Sequence, residues 1–176
     1  MSTSERLTIP FKGLKEGKHE FTFDLTEKYF QMLDYSEFEK GNLKVKIEMD
    51  KKPTHLVFDI EIFGAVQVLC DRCLEFFDID AEFSGNLFVK FFLEENENDI
   101  SEELLILQPE DYEVDLTHYV YESICLSLPY QRIHPDDEKG KSTCNKAMIK
   151  KLKQLTKNDK NDIDPRWEKL KDINKN

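Results

Sequence analysis

No stretch of this chain approaches the roughly 18 consecutive apolar residues that a membrane helix needs. The opening MSTSERLTIPFKG has no apolar core of the kind a secretory signal carries. Both absences point to a cytoplasmic protein. Gly and Pro number only six each among 176 residues, beside thirteen Phe and six Tyr, so collagen-like and wholly disordered chains are excluded. Tryptophan occurs once, at Trp167. The sequence has no Gly-rich phosphate loop, no HExxH and no GxSxG. Carboxylates abound without forming a recognisable acid–base pair. The expectation is therefore a non-enzymatic protein without a small-molecule substrate.

What is present is large apolar side chains and a split of charge. Thirteen Phe and six Tyr can furnish a real core in a chain of this length. Lys and Arg are missing from residues 91–131, which hold 11 acidic residues. Residues 139–176 reverse this, with 12 basic and 5 acidic residues, although the whole chain carries −11. An acidic body attracts basic proteins, and a Lys-rich tail can touch phosphate.

The first half alternates apolar and polar residues with a period of two, the mark of half-buried strands. Leu7, Ile9 and Phe11 keep this period, as do Phe21, Phe23 and Leu25, and then Leu43, Val45, Ile47 and Met49. Thr26 is placed to cap a short helix burying Phe30 and Leu33. Residues 54–70 read as one long strand or two collinear ones, with a bulge at Gly64. Phe77 to Phe91 forms the returning arm of a hairpin with Asp71-Arg72 at its tip and a kink or turn at Ser84-Gly85-Asn86. Residues 94–103 read as a solvated acidic loop, and Leu104–Leu107 as an edge strand.

Helical spacing follows. Leu116, Val120, Ile124 and Leu128 fall on one stripe, with Asp115 as cap and Pro129 as stop. Asn145 can cap a second helix with Met148, Ile149, Leu152 and Leu155 on one face. Asp164-Pro165 opens a third, carrying Trp167, Leu170 and Ile173, which reads as a docked terminal anchor in preference to a detachable peptide for a partner's groove. The fold class is α+β: an antiparallel sheet or open barrel from the N-terminal half, packed with C-terminal helices. The expected division is one α+β domain over 1–144 and a Lys-rich helical extension over 145–176.

Cys70-Asp-Arg-Cys73 is the most chemical feature. Two thiols two residues apart on a turn can grip one tetrahedral zinc, and His134 with Cys144 offers the second pair. Cys125 is a weaker donor, since it falls beside the apolar stripe of a helix and suits a small core hydrophobe. A dithiol redox switch at Cys70 and Cys73 is the alternative, but it asks for a helix start in a βαβ unit. Structural or partner-contacting thiols are the third reading. Arg72, held between the two thiols, is a candidate partner contact. Lys146, Lys150, Lys151 and Lys153 are candidate RNA contacts. His118 reads as a satisfied surface group.

The segment VLCDRCLEFFDIDAEF, then EVDLTHYVYESICLSLPYQRIHPDD and the later Cys144, resembles the bacterial YceD family. The resemblance rests on Cys70, Arg72 and Cys73, and on Glu113, Val114, Asp115, Leu116, Val120, Glu122, Ile124, Leu126, Leu128 and Pro129 in register. The closing DPRWEKLKDI is similar to a terminal segment of members. Many members carry a further CxxC after the helix, where this chain keeps His134 and Cys144. The resemblance implies a factor supporting large-subunit ribosomal RNA accumulation and assembly. Its partners would be large-subunit precursors, through ribosomal RNA or a basic ribosomal protein.

Overall fold

The structure, a computed structural model, describes residues 6–91, 104–108 and 110–156, with the backbone alone for 104–106. It contains two compact units. The first comprises residues up to Leu69 and Phe76–Arg132; the second comprises Cys70–Glu75 and the chain from Ile133 onward. No helix among the described residues is long and apolar enough to cross a membrane.

The first unit is built on a five-stranded sheet in the order β2-β3-β4-β5-β6. Its strands are β2 (Gly17–Leu25), β3 (Gly41–Lys51), β4 (His55–Leu69), β5 (Phe76–Phe91) and β6 (Leu104–Leu107). The first four pair antiparallel, and β6 joins the edge parallel to β5. The sheet is open, with β2 and β6 at its edges. A separate antiparallel pair joins β1 (Thr8–Pro10) to β7 (Glu113–Asp115).

The period of two explains the layering. Leu43, Val45, Ile47 and Met49 on β3 are fully buried, and so are Leu56, Phe58, Ile60 and Ile62 on β4. They join one apolar cluster with Leu7, Ile9 and Phe11, and with α1 (Glu27–Met32) and α2 (Thr117–Ser127). Tyr29 and Phe30 come from α1; Val120, Tyr121 and Ile124 come from α2. The alternate residues of β3 and β4, such as Lys46 and Asp59, face outward, as antiparallel sheets with one wet face require.

Three local expectations change. Gly64 is not a bulge: β4 pairs with β3 and β5 without a break, and Gly64 stands opposite Leu43 and Ala81. It falls in phase with the buried row that continues to Val66 and Val68. Its φ is +150°, and a Cβ there would collide with the Asn42 carbonyl of β3. The glycine permits close backbone approach rather than an extra residue. Ser84-Gly85-Asn86 is likewise no turn, since these residues pair with Glu61, Ile60 and Asp59 inside β5. Thr26 sits at the start of α1 but makes no side-chain capping bond, and Leu33 is only partly buried. The acidic loop at 94–103 and the helix around Trp167 lie outside the described residues.

Thr117 ties the core helix to the rest of the unit. Its amide donates to Asp115 Oδ1 at 2.9 Å, although the cap position of α2 is Leu116 rather than the aspartate that the sequence suggests. Its hydroxyl accepts the buried Leu7 amide at 2.9 Å, and its carbonyl accepts the Tyr29 hydroxyl at 2.7 Å. Burial pushes the Tyr29 hydroxyl well above its ordinary pKa, so it stays a donor. Thr117→Val keeps the shape but strands the Leu7 amide in the core. That should cost about 1–3 kcal/mol in urea unfolding; an unchanged midpoint would show that the amide finds another acceptor.

Candidate metal centre

The second unit gathers the chemistry. Cys70 follows β4, and the segment Cys70–Glu75 turns the chain back toward β5. The turn is closed by Leu74 N–H donating to Cys70 O and Cys70 N–H donating to Glu75 O, both at 2.9 Å. Leu74 has φ +58°, which no other non-glycine residue shows among the described residues. A leucine in the left-handed region is sterically costly. The turn accepts that cost and lifts Cys73 back beside Cys70.

A second turn supplies the other pair. Asp136 and Ser142 form an isolated antiparallel bridge. Asp137 Oδ1 accepts the amides of Lys139 and Lys141, and Gly140 adopts φ +71° to complete the reversal. Two residues beyond each end of the bridge are His134 and Cys144. The period of two places them opposite each other on one face. Thr143 Oγ1 donates to Pro135 O at 2.7 Å and secures the same arm. Asn145 then caps α3 (Lys146–Thr156), its Oδ1 accepting the Ala147 and Met148 amides, as its position in the sequence predicts. Its Nδ2 donates to Glu75 Oε1 at 2.6 Å, joining the two turns.

The four donor atoms of Cys70, Cys73, His134 and Cys144 all lie within 4.8 Å of one another. Cys70 Sγ is 3.7 Å from Cys144 Sγ. His134 Nδ1 is 3.5 Å from Cys73 Sγ and 3.9 Å from Cys144 Sγ. A tetrahedral zinc, with Zn–S about 2.3 Å and Zn–N about 2.05 Å, sets its sulfurs about 3.8 Å apart and sulfur from nitrogen about 3.6 Å. The spacing therefore fits a tetrahedral Cys3His set. All four cysteines are free thiols, and the three in the cluster are buried.

Electrostatics favours a cation here. Burial pushes the Cys70 thiol up, but the backbone amides of His134, Arg72 and Cys73, with the His134 side chain, outweigh it. The thiol falls to about 6. At Cys144 the Ser142 hydroxyl pulls downward, while burial and the Cys70 sulfur push upward; the net direction is up. Amides aimed at one sulfur, with further sulfurs at contact distance, form a pocket suited to thiolate.

The other sequence-predicted residues divide. Arg72 is exposed on the Cys70–Glu75 turn. Lys146, Lys150 and Lys153 line a groove of about 450 Å³ with Ser142, Cys144, Ile149 and Gln154. Lys151 is exposed on the same helix but does not line the groove. The apolar residues of α3 form the expected face, yet none is buried among the described residues, and Leu152 and Leu155 are exposed. Cys125 takes no part in the cluster and packs against the core of the first unit. His118 bridges Tyr35 Oη and Glu122 Oε1 at 2.9 Å each, a satisfied surface group.

Sequence reasoning missed the Asp136–Ser142 bridge. Its signal was the Asp-Asp-Glu-Lys-Gly run at 136–140, a turn composition that brings His134 and Cys144 level.

No curated protein and no solved structure gives a significant match to the chain. A family model does, over residues 58–174, and its description is large ribosomal RNA subunit accumulation protein YceD. The match spans both cysteine-bearing turns and the α2 helix, and the chain belongs to the YceD family.

Proposed function

We propose that this protein is a non-enzymatic, cytoplasmic factor in large-subunit ribosomal RNA accumulation. In this reading a structural zinc organises its RNA-contacting unit. The carrying observation is the closed Cys3His set. Four protein donors would complete a tetrahedron and fill the positions that water or substrate takes in catalytic zinc, the pattern of a structural site. Cys70, Cys73 and Cys144 would hold the ion as thiolates and His134 through Nδ1. The metal's contribution would be folding free energy, by fixing two turns and the start of α3.

A redox role for Cys70 and Cys73 draws less support. The low pKa of Cys70 comes from amides directed at a buried sulfur, and Cys144 is as much its neighbour as Cys73. The same amides suit a metal-bound thiolate.

The zinc reading predicts near one equivalent of zinc in protein purified without chelator. Cys70→Ser with Cys73→Ser should lose the metal and loosen the second unit, read as amide-exchange protection in 133–156. Cys125→Ser should retain the metal. Full protection without metal in the double variant would sink this reading.

RNA contact is assigned to the lysines of α3, with Arg72 as a further contact on the neighbouring turn. Lys146, Lys150 and Lys153 recur at i, i+4 and i+7, which places three cations along one helix face. Replacing these three by Gln should flatten the slope of log K against log salt for single-stranded ribosomal RNA by up to about 2. Lys151→Gln should change it less. Cells carrying the triple variant as their sole copy should show less large-subunit RNA relative to small-subunit RNA. Parental slopes together with parental RNA ratios would move the contact surface elsewhere.

A further inference from the structure

Among the described residues, the outward edge of β5 is unpaired over most of its length. Two hydrogen bonds fix which backbone groups lie there: Phe91 N–H donates to Thr54 O, and Cys70 N–H donates to Glu75 O. In the antiparallel register of β4 and β5, these bonds mark the odd-numbered residues of β5 as turned toward β4. The even-numbered residues therefore point their N–H and C=O groups away from β4. β6 begins only opposite Phe88. Among the described residues no strand pairs with the outward groups of Asp78, Asp80, Glu82, Ser84 and Asn86.

The side chains along this edge say what would fit. Asp78, Asp80 and Glu82 project from the wet face, exposed and without an ion pair among the described residues. Across β4 they stand opposite Gln67, Ala65 and Phe63, none of them cationic. On the other face Ile79 and Phe83 are only half-buried, whereas the inward rows of β3 and β4 are almost wholly enclosed. The edge thus offers a ladder of backbone groups, a row of three carboxylates on one side and a partly covered apolar row on the other. A second copy is a poor occupant. Antiparallel self-pairing about Asp80 would set Asp78 against Glu82 and Asp80 against its twin, and facing like charges destabilise a sheet.

We propose that the free edge of β5 captures an extended, basic protein segment by strand addition. The segment alternates Lys or Arg with apolar residues, its cations opposite Asp78, Asp80 and Glu82 and its apolar side chains beside Ile79 and Phe83. This surface belongs to the first unit and is independent of the metal and RNA readings. The competing account is that the carboxylates merely guard an edge against aggregation.

A fluorescein-labelled twelve-residue peptide alternating Lys and Val, titrated with the full chain and read by anisotropy, tests the proposal. The parent should bind it and should not bind a Glu/Val counterpart. Asp78→Asn, Asp80→Asn and Glu82→Gln together should weaken binding about tenfold, from three cross-strand charge pairs. Ser84→Pro removes one outward donor, leaves every charge and disturbs no bond to β4; it should weaken binding at least about fivefold. A peptide N-methylated at alternate residues tests the ladder without altering the protein, and should lose binding as well. If the N-methylated peptide or the Ser84→Pro variant binds like the parent, attraction is only electrostatic and the proposal is overturned. Failure of the parent to bind, or a concentration-dependent dimer that Ser84→Pro abolishes, also overturns it.

Discussion

The unbroken pairing of β4 with β5 is the constraint on which the rest depends. It runs from His55 opposite Lys90 to Leu69 opposite Phe76 without a bulge. A slip of one residue would turn Leu56, Phe58, Ile60 and Ile62 out to water and bring Asp59 and Glu61 into the core. The same register carries the chain to Cys70, and it decides which backbone groups of β5 remain unpaired. Core, cysteine turn and free edge are three readings of one ladder. Gly64 keeps that ladder intact where β3 comes close, a purpose invisible to a pattern that treats glycine as an interruption.

The strands and the α2 helix were legible because burial imposes a period on them. Alternation over Leu43–Met49 and the stripe from Leu116 to Leu128 reflect one-sided contact with the core, and a single sequence records such contact. Ser84 to Asn86 misled because Ser84 and Asn86 are tolerated on the wet face of a long strand, while Gly85, on the inner face, leaves room for the Phe83 ring. The parallel pairing of β6 left no local trace, since strand direction comes from the path of the chain rather than from side chains.

The cysteine site was half legible. A CxxC spacing advertises two ligands on one turn. His134 and Cys144 are separated by nine residues, more than the roughly two to five of a usual ligand pair, and only the turn at 136–140 makes them neighbours. The left-handed Leu74 could not be foreseen, because its composition argues against the conformation it adopts. Such a residue is held by its surroundings, and hydrogen bonds from Cys70 to Glu75 and from Asn145 to Glu75 provide them. Charge segregation was legible as composition; what composition could not tell is that only three of the four lysines in α3 line one groove.

The tie between Leu7 and Thr117 has a consequence for the order in which the chain assembles. These partners are 110 residues apart, whereas β3, β4 and β5 meet through short turns. Closing so long a loop carries a large entropic cost that local hairpins do not bear. As the polypeptide leaves the ribosome, the hairpins of the sheet can close while the first strand still waits for β7 and α2. The strand β1 is thus made well before the partners that hold it. The apolar row of Leu7, Ile9 and Phe11 lacks its β7 and α2 partners until the chain has been made past residue 117.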